Sequence, residues 1–242
     1  MTTVAAAAFS VAVLAAVAQA VTGFGFAMVA VPLLAVAIGP RDAVVAATGL
    51  SALLSAYATV RFRGHVAWRP TATISAAAVA AMPFGLLALL WASERMLTGL
   101  IGGVLLLSLV FVVRPVRLPR RRRYEVAAGL LSGALLTSTG VNGPPLVVAF
   151  HNMQLPPAVF RATLLATLCF QDAVALTALG VVEQVTTAGL VAVAAGLPGL
   201  ALGWVVGDRV FARFGAEQFR VAILVMLTLS GFLAVWQAVH PA

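Results

Sequence analysis

The chain has 242 residues, of which 62% are hydrophobic and 9% charged, with a mean hydropathy of +1.09. Soluble domains are roughly 45–50% apolar and about 25% charged, so composition excludes a soluble globule and leaves a polytopic membrane protein. The net charge of +8 is carried by arginine alone, and six of the fifteen arginines fall between Arg114 and Arg123. Between apolar spans such a run reads as a solvated, lipid-facing loop and not as a nucleic-acid patch.

Taken in order, the chain opens with an apolar stretch, Val4 to Ile38, broken at Thr22-Gly23-Phe24-Gly25-Phe26. Ala18-Gln19-Ala20 resembles a cleavage site, but no basic residue precedes Arg41, so the segment is expected to be retained. Helices long enough to cross a hydrocarbon core of about 30 Å are predicted over 43–60, 71–91 and 96–113. The arginine run, with Pro115 and Pro119 inside it, reads as a linker over 114–125.

A second broken stretch, Val126 to Leu155, follows, interrupted at Ser138-Thr139-Gly140-Val141-Asn142-Gly143-Pro144-Pro145. Gly140 and Gly143 admit backbone angles closed to other residues, Asn142 suits a helix N-cap, and Pro144 or Pro145 suits a first turn, so a new helix is expected from about Gly143. Further crossings are predicted over 157–179, 185–206 and 216–238. The lone Cys169 allows neither a disulfide framework nor a cysteine metal site within the chain.

Each broken stretch is either one kinked crossing or a re-entrant hairpin. The pieces Val126 to Ser138 and Pro144 to Leu155 are about a dozen residues each, roughly 20 Å, too short to cross alone. Phe26 to Ile38 is equally short, although Val4 to Val21 nearly spans. With two hairpins, thirteen arginines share one face and only Arg41 and Arg95 lie opposite; with single crossings the division is nine to six. The positive-inside rule favours the hairpins, with the linker cytoplasmic and both termini outside the inner cell membrane. Trp68, Trp91, Trp204 and Trp236 fall near span ends, as an aromatic belt would place them.

The expected fold is therefore an all-α polytopic membrane protein of two inverted repeats, 1–113 and 126–242, each a broken re-entrant hairpin (4–38, 126–155) plus three transmembrane helices. Internal similarity supports duplication: Ala80-Ala81-Met82-Pro83-Phe84-Gly85-Leu86 resembles Ala194-Ala195-Gly196-Leu197-Pro198-Gly199-Leu200, Pro32 is matched with Pro145, and Gly64-His65-Val66 with Gly180-Val181-Val182. The offset is about 112 to 117 residues.

Irregular backbone at membrane depth survives only where protein or a water-filled cavity satisfies it, and in transporters it marks a midplane site. Two outgoing half-helices meeting amino end first would favour an anion held by main-chain donors. Gln19, Thr22, Gly23, Phe24, Gly25, Phe26, Ser138, Thr139, Gly140, Asn142 and Gly143 are the expected substrate-binding residues, with Phe24 and Phe26 as walls. Close packing through the glycines is the competing reading. Asp172, beside Gln171 and about two turns inside its helix, is a costly intramembrane carboxylate and the candidate proton carrier; a paired group near the outer surface is the other reading. Arg161 is expected at the cytoplasmic surface, near enough the second hairpin to attract an anion. Arg41, Asp42, Glu94, Arg95, Asp208 and Arg209 read as solvated loop charges.

The pattern Gly23-Phe24-Gly25-Phe26-Ala27-Met28-Val29-Ala30-Val31-Pro32-Leu33-Leu34, with its degenerate copy Gly140-Val141-Asn142-Gly143-Pro144-Pro145-Leu146 and a Gly64-His65-Val66-Ala67-Trp68-Arg69 loop, resembles the TauE/SafE sulfite-exporter family of membrane permeases. The resemblance implies export of sulfite, a sulfonate or a related anion. The chain is thus read as a secondary transporter working by alternating access, with proton coupling as a subsidiary expectation. A passive anion channel is the nearest rival. A membrane-embedded enzyme is disfavoured: no Gly-x-Ser-x-Gly elbow, His-Glu-x-x-His or phosphate-binding loop is present, and there are only three histidines. The expected partners are a small anionic substrate and the lipid bilayer, with a homodimer as the candidate assembly, no nucleic acid, and no cofactor or metal.

Overall fold

The computed structural model describes residues 2–113 and 121–213. Regular structure among them is entirely helical: α1 (Thr2–Thr22), α2 (Phe26–Ile38), α3 (Pro40–Phe62), α4 (Trp68–Trp91), α5 (Glu94–Val113), α6 (Arg122–Thr139), α7 (Gly143–Asn152), α8 (Pro157–Val181) and α9 (Thr187–Arg213), with a 3-10 turn at Arg63–His65. Five helices among the described residues are long and apolar enough to cross a membrane: Thr3–Thr22, Pro40–His65, Trp68–Trp91, Pro157–Val181 and Thr187–Arg209. The chain is a polytopic all-α membrane protein. The stretches predicted over 43–60, 71–91, 96–113, 157–179 and 185–206 are α3, α4, α5, α8 and α9. The helix expected over 216–238 and Trp236 lie outside the described residues.

Both breaks are built from the same bonds. Gly23 (φ 79°) and Gly140 (φ 74°) are left-handed, and their N–H groups donate to Gln19 O at 2.8 Å and Leu136 O at 2.9 Å, closing α1 and α6 as αL caps. The preceding threonines match as well. Thr22 Oγ1 donates to Ala18 O at 2.7 Å and accepts from Phe24 N at 3.3 Å; Thr139 Oγ1 donates to Leu135 O at 2.8 Å and accepts from Val141 N at 3.3 Å. Gly140 follows Gly23 by 117 positions, and α7 begins 117 positions after α2. On that register Pro145 corresponds to Met28, and the expected match of Pro32 with Pro145 does not hold: Pro32 is interior to α2, whereas Pro145 lies in the first turn of α7.

The incoming arm of the second break is longer than the sequence suggested. α6 has 18 residues, about 27 Å at 1.5 Å per residue, because its first turn begins inside the arginine run, where Glu125 also complements the helix dipole. α1 has 21 residues. Only the outgoing arms are short, at 13 residues for α2 and 10 for α7.

Close contacts through small residues fix the helix directions. On α9, Gly199 faces Phe9 and Ala12, Gly203 faces Val13 and Ala16, and Gly207 faces Val17 and Ala20, so α1 and α9 run parallel. Gly189 against Val45, Gly49 against Val193 and Gly196 against Leu50 make α3 parallel to α9. In the same way Gly129 meets Ile74, Gly133 meets Ala78, and Gly85 meets Ala134 and Thr137, so α4 and α6 run parallel. α8 joins them, with Ala67 N donating to Thr163 Oγ1 at 3.0 Å and Thr167 Oγ1 to Thr71 Oγ1 at 3.5 Å. α3 and α8 cross the middle in opposite senses, with Ser51 beside Asp172 and Phe62 beside Arg161. Two parallel trios result, α1, α3, α9 and α4, α6, α8, and each short helix, α2 or α7, carries the chain back between members of one trio.

Several surface expectations change. Trp68 and Trp91 are 58% and 81% exposed, but Trp204 is only 6% exposed and packs edge-on against Tyr57, with ring centroids 5.8 Å apart, so it is not a belt residue. Arg41 is not simply solvated: its Nη2 donates to Ala92 O at 2.9 Å, capping the carbonyl end of α4. Asp42 accepts from Thr186 Oγ1 at 2.7 Å, tying α3 to the start of α9. Asp208 lies within α9 and faces Arg161 at 3.7 Å.

Candidate functional site

The two breaks meet. A side chain built at Gly143 would lie 3.1 Å from Phe24, so the start of α7 sits directly on the first break. Between them is a cavity walled by Phe24, Gly25, Phe26, Ala27 and Met28 from the first break, by Asn142 and Gly143 from the second, and by Gln19, Ser51 and Leu168. About 10 Å³ of it is open to the centre of a water-sized sphere, which is room for about one water.

The two helix starts contribute unequally. The first three N–H groups of a helix have no intrahelical acceptor, so α2 presents Phe26, Ala27 and Met28 as main-chain donors; its first i to i−4 bond is Val29 N to Gly25 O. α7 presents only Gly143, because Pro144 and Pro145 carry no N–H. Gly25 takes φ 102°, closed to residues with a Cβ, whereas Asn142 has φ −111° and ψ −11°. Asn142 makes no side-chain cap on α7, contrary to the expected capping role. Its amide is used sideways instead.

That sideways use belongs to a buried polar cluster. Asn142 Nδ2 donates to Gln171 Oε1 at 3.2 Å. Ser132 Oγ lies 2.7 Å from Gln171 Oε1 and 3.2 Å from Asn142 O. Ser51 Oγ donates to Asp172 Oδ2 at 2.7 Å. On the other side of the cavity Gln19 Nε2 donates to Ser55 Oγ at 2.9 Å, leaving Gln19 Oε1 buried without a partner among the described residues. The two ends of an amide are assigned from such networks, so Gln19 can turn either a donor or an acceptor toward the cavity. Asp172 itself is 1% exposed, buried among the helices and paired with Ser51.

Of the residues singled out in the sequence, Gln19, Phe24, Gly25, Phe26, Asn142 and Gly143 line the cavity. Thr22, Ser138 and Thr139 do not; their hydroxyls are spent on backbone carbonyls of their own helices. Gly23 and Gly140 shape the turns and pack outward, against Arg161 and against Val31 and Val44 respectively. Arg161 therefore sits beside the first break, with its guanidinium 5.3 Å from the Phe62 ring and 5.5 Å from the Trp204 ring. Ser51, Ser132 and Leu168 were missed. Ser51 and Ser132 are small polar residues in apolar helices, which is a weak signal because such residues commonly bond their own helix carbonyls.

A family model described as "Sulfite exporter TauE/SafE" matches residues 8–233. The chain belongs to the TauE/SafE sulfite exporter family. The TauE/SafE match covers both breaks and every helix from α2 to α9, and it places the chain in a family of membrane exporters. A curated relative, the probable sulfite/organosulfonate exporter TauE of Cupriavidus necator, is 27% identical over 224 residues, covering 89% of this chain and 88% of that protein. No solved structure matches the chain.

Proposed function

We propose that this TauE/SafE protein moves a small anion, sulfite or a sulfonate, outward across the cell membrane by alternating access between two inverted halves. The observation that carries the reading is the cavity shared by the starts of α2 and α7, which reach it from opposite senses and bring main-chain donors without a lining arginine or lysine. Helix starts carry partial positive charge and free N–H groups, so such a point favours an anion. The name of the Cupriavidus relative supplies the sulfur-oxyanion class. With room for about one water, the cavity must widen to admit even sulfite, which is what an alternating cycle requires.

Inversion is supported by the packing. The trio α1, α3, α9 maps onto α6, α8, α4 when each helix is paired with its counterpart in the other half, and the two trios run in opposite senses. The helices that begin on the face of the arginine run then begin in the cytoplasm. Asp172 is the carboxyl that would carry a coupling proton.

The test is flux of isotopically labelled sulfite and ethanesulfonate in proteoliposomes. Asn142→Leu, close in size, should cut flux at least about tenfold, equivalent to about 1.4 kcal/mol, while the protein remains folded by thermal unfolding. Unchanged flux would remove the site. Accumulation against a gradient when a proton gradient is imposed separates a transporter from a passive channel.

A further inference from the structure

A donor that lines the cavity is also the donor that holds the buried carboxyl. Ser51 and Asn142 both face the cavity; Ser51 Oγ donates to Asp172 Oδ2 at 2.7 Å, and Asn142 Nδ2 donates to Gln171, the residue before Asp172. A buried carboxylate must keep such donors, and a bound oxyanion needs donors of the same kind. The Ser51 hydroxyl has a single proton and cannot serve both at once. A second negative charge next to an ionised Asp172 in a low-dielectric interior is also strongly repelled.

The geometry points to an exchange of a donor that obliges one proton to travel with each anion: Asp172 gains a proton and releases Ser51 to the cavity, and the anion takes it beside the Asn142 amide. On leaving, the anion returns Ser51, and Asp172 gives up its proton to the same side. Among the described residues nothing else at this level can supply the compensating charge. The helices packed on α8 present Ser51 from α3, Ser132 from α6 and Asn142 from α7, all uncharged. Tyr57 of α3 is turned away against Trp204, the charged groups of α3, α4, α6 and α7 stand in their first or last turns, from Arg41 and Arg61 to Glu125 and His151, and on α8 itself the thiol of Cys169 is the titratable group next along the chain.

This inference rests on the anion site proposed above and adds the direction of the proton, which moves with the anion and not against it. Ethanesulfonate and thiosulfate keep their charge between about pH 5 and about pH 8, so their pH dependence reports the protein. Binding to the wild type should strengthen up to about tenfold per unit of falling pH wherever one proton is taken up per anion. In proteoliposomes with a trapped pH dye, anion efflux should carry protons out of the lumen. Asp172→Asn, which keeps an acceptor for Ser51, should bind anion with no pH dependence and move it without protons; Asp172→Glu should restore both signals. Should Asp172→Asn fail to fold, the wild-type dye experiment decides alone. Anion flux with no proton movement, or with protons moving the opposite way, overturns the exchange and leaves the anion site standing. Absence of anion flux in the wild type removes both.

Discussion

Single residues at the two breaks divide into those that shape backbone and those that face the cavity, and substitutions should separate the two classes. Gly140 is left-handed, and a Cβ there would lie 2.9 Å from Val31 Cγ2. Gly140→Ala is expected to cost about 1–2 kcal/mol from conformation alone and to lower the midpoint of thermal unfolding in detergent. Gly64→Ala, where nothing lies within 4 Å, should leave it unchanged. Asn142→Leu should act the other way, removing flux without a comparable loss of stability. Gly25→Val is the poorer probe of the site, since φ 102° strains any side chain. The glycines and Asn142 were legible in the sequence because a helix breaker inside an apolar stretch is anomalous. The roles of Thr22 and Thr139 were not, because a threonine that bonds the carbonyl four residues back looks in sequence like one that faces a ligand.

Helix packing between the halves depends on small residues at four-residue spacing. Gly199, Gly203 and Gly207 of α9 meet Ala12, Ala16 and Ala20 of α1, a register that lets two parallel helices approach closely in a bilayer, where association is driven by packing and not by water. Gly203→Leu would force its side chain into Val13 and Ala16. Overpacking of this kind costs about 1–3 kcal/mol, so the variant should melt earlier and yield less monodisperse protein on size exclusion. Gly103→Leu, facing outward on α5 with nothing within 4 Å, should stay within about 0.5 kcal/mol of the parent. This spacing is present in the sequence, yet a run of alanine and glycine in an apolar helix does not say which helix it will meet.

Across the whole molecule, the pairing of α1 with α9 and of α4 with α6 joins the first helix of each half to the fourth of the other. In the proposed alternating cycle, an opening motion of one half would be passed to the other through these contacts. The proposed orientation is open to direct measurement. Cys169 is the lone cysteine, so Cys169→Ala gives a cysteine-free background. In intact cells an impermeant thiol reagent should then label Thr2→Cys from outside, and Arg122→Cys only after the membrane is breached. Labelling of Arg122→Cys in intact cells would reverse the orientation.

Composition and helix breakers by themselves determined that this is a helical membrane protein with two interrupted segments, because burying so many apolar residues without water leaves few alternatives, and because glycine and proline act on the backbone locally. Only the tertiary structure decided that the incoming arm α6 is nearly full length, that Trp204 lies inside instead of at the surface, and that Ser51 is shared between the cavity and Asp172. Those facts depend on which helix faces reach one another across 121 residues of chain, from Ser51 to Asp172, and hydropathy carries no information about the partner a helix face will find.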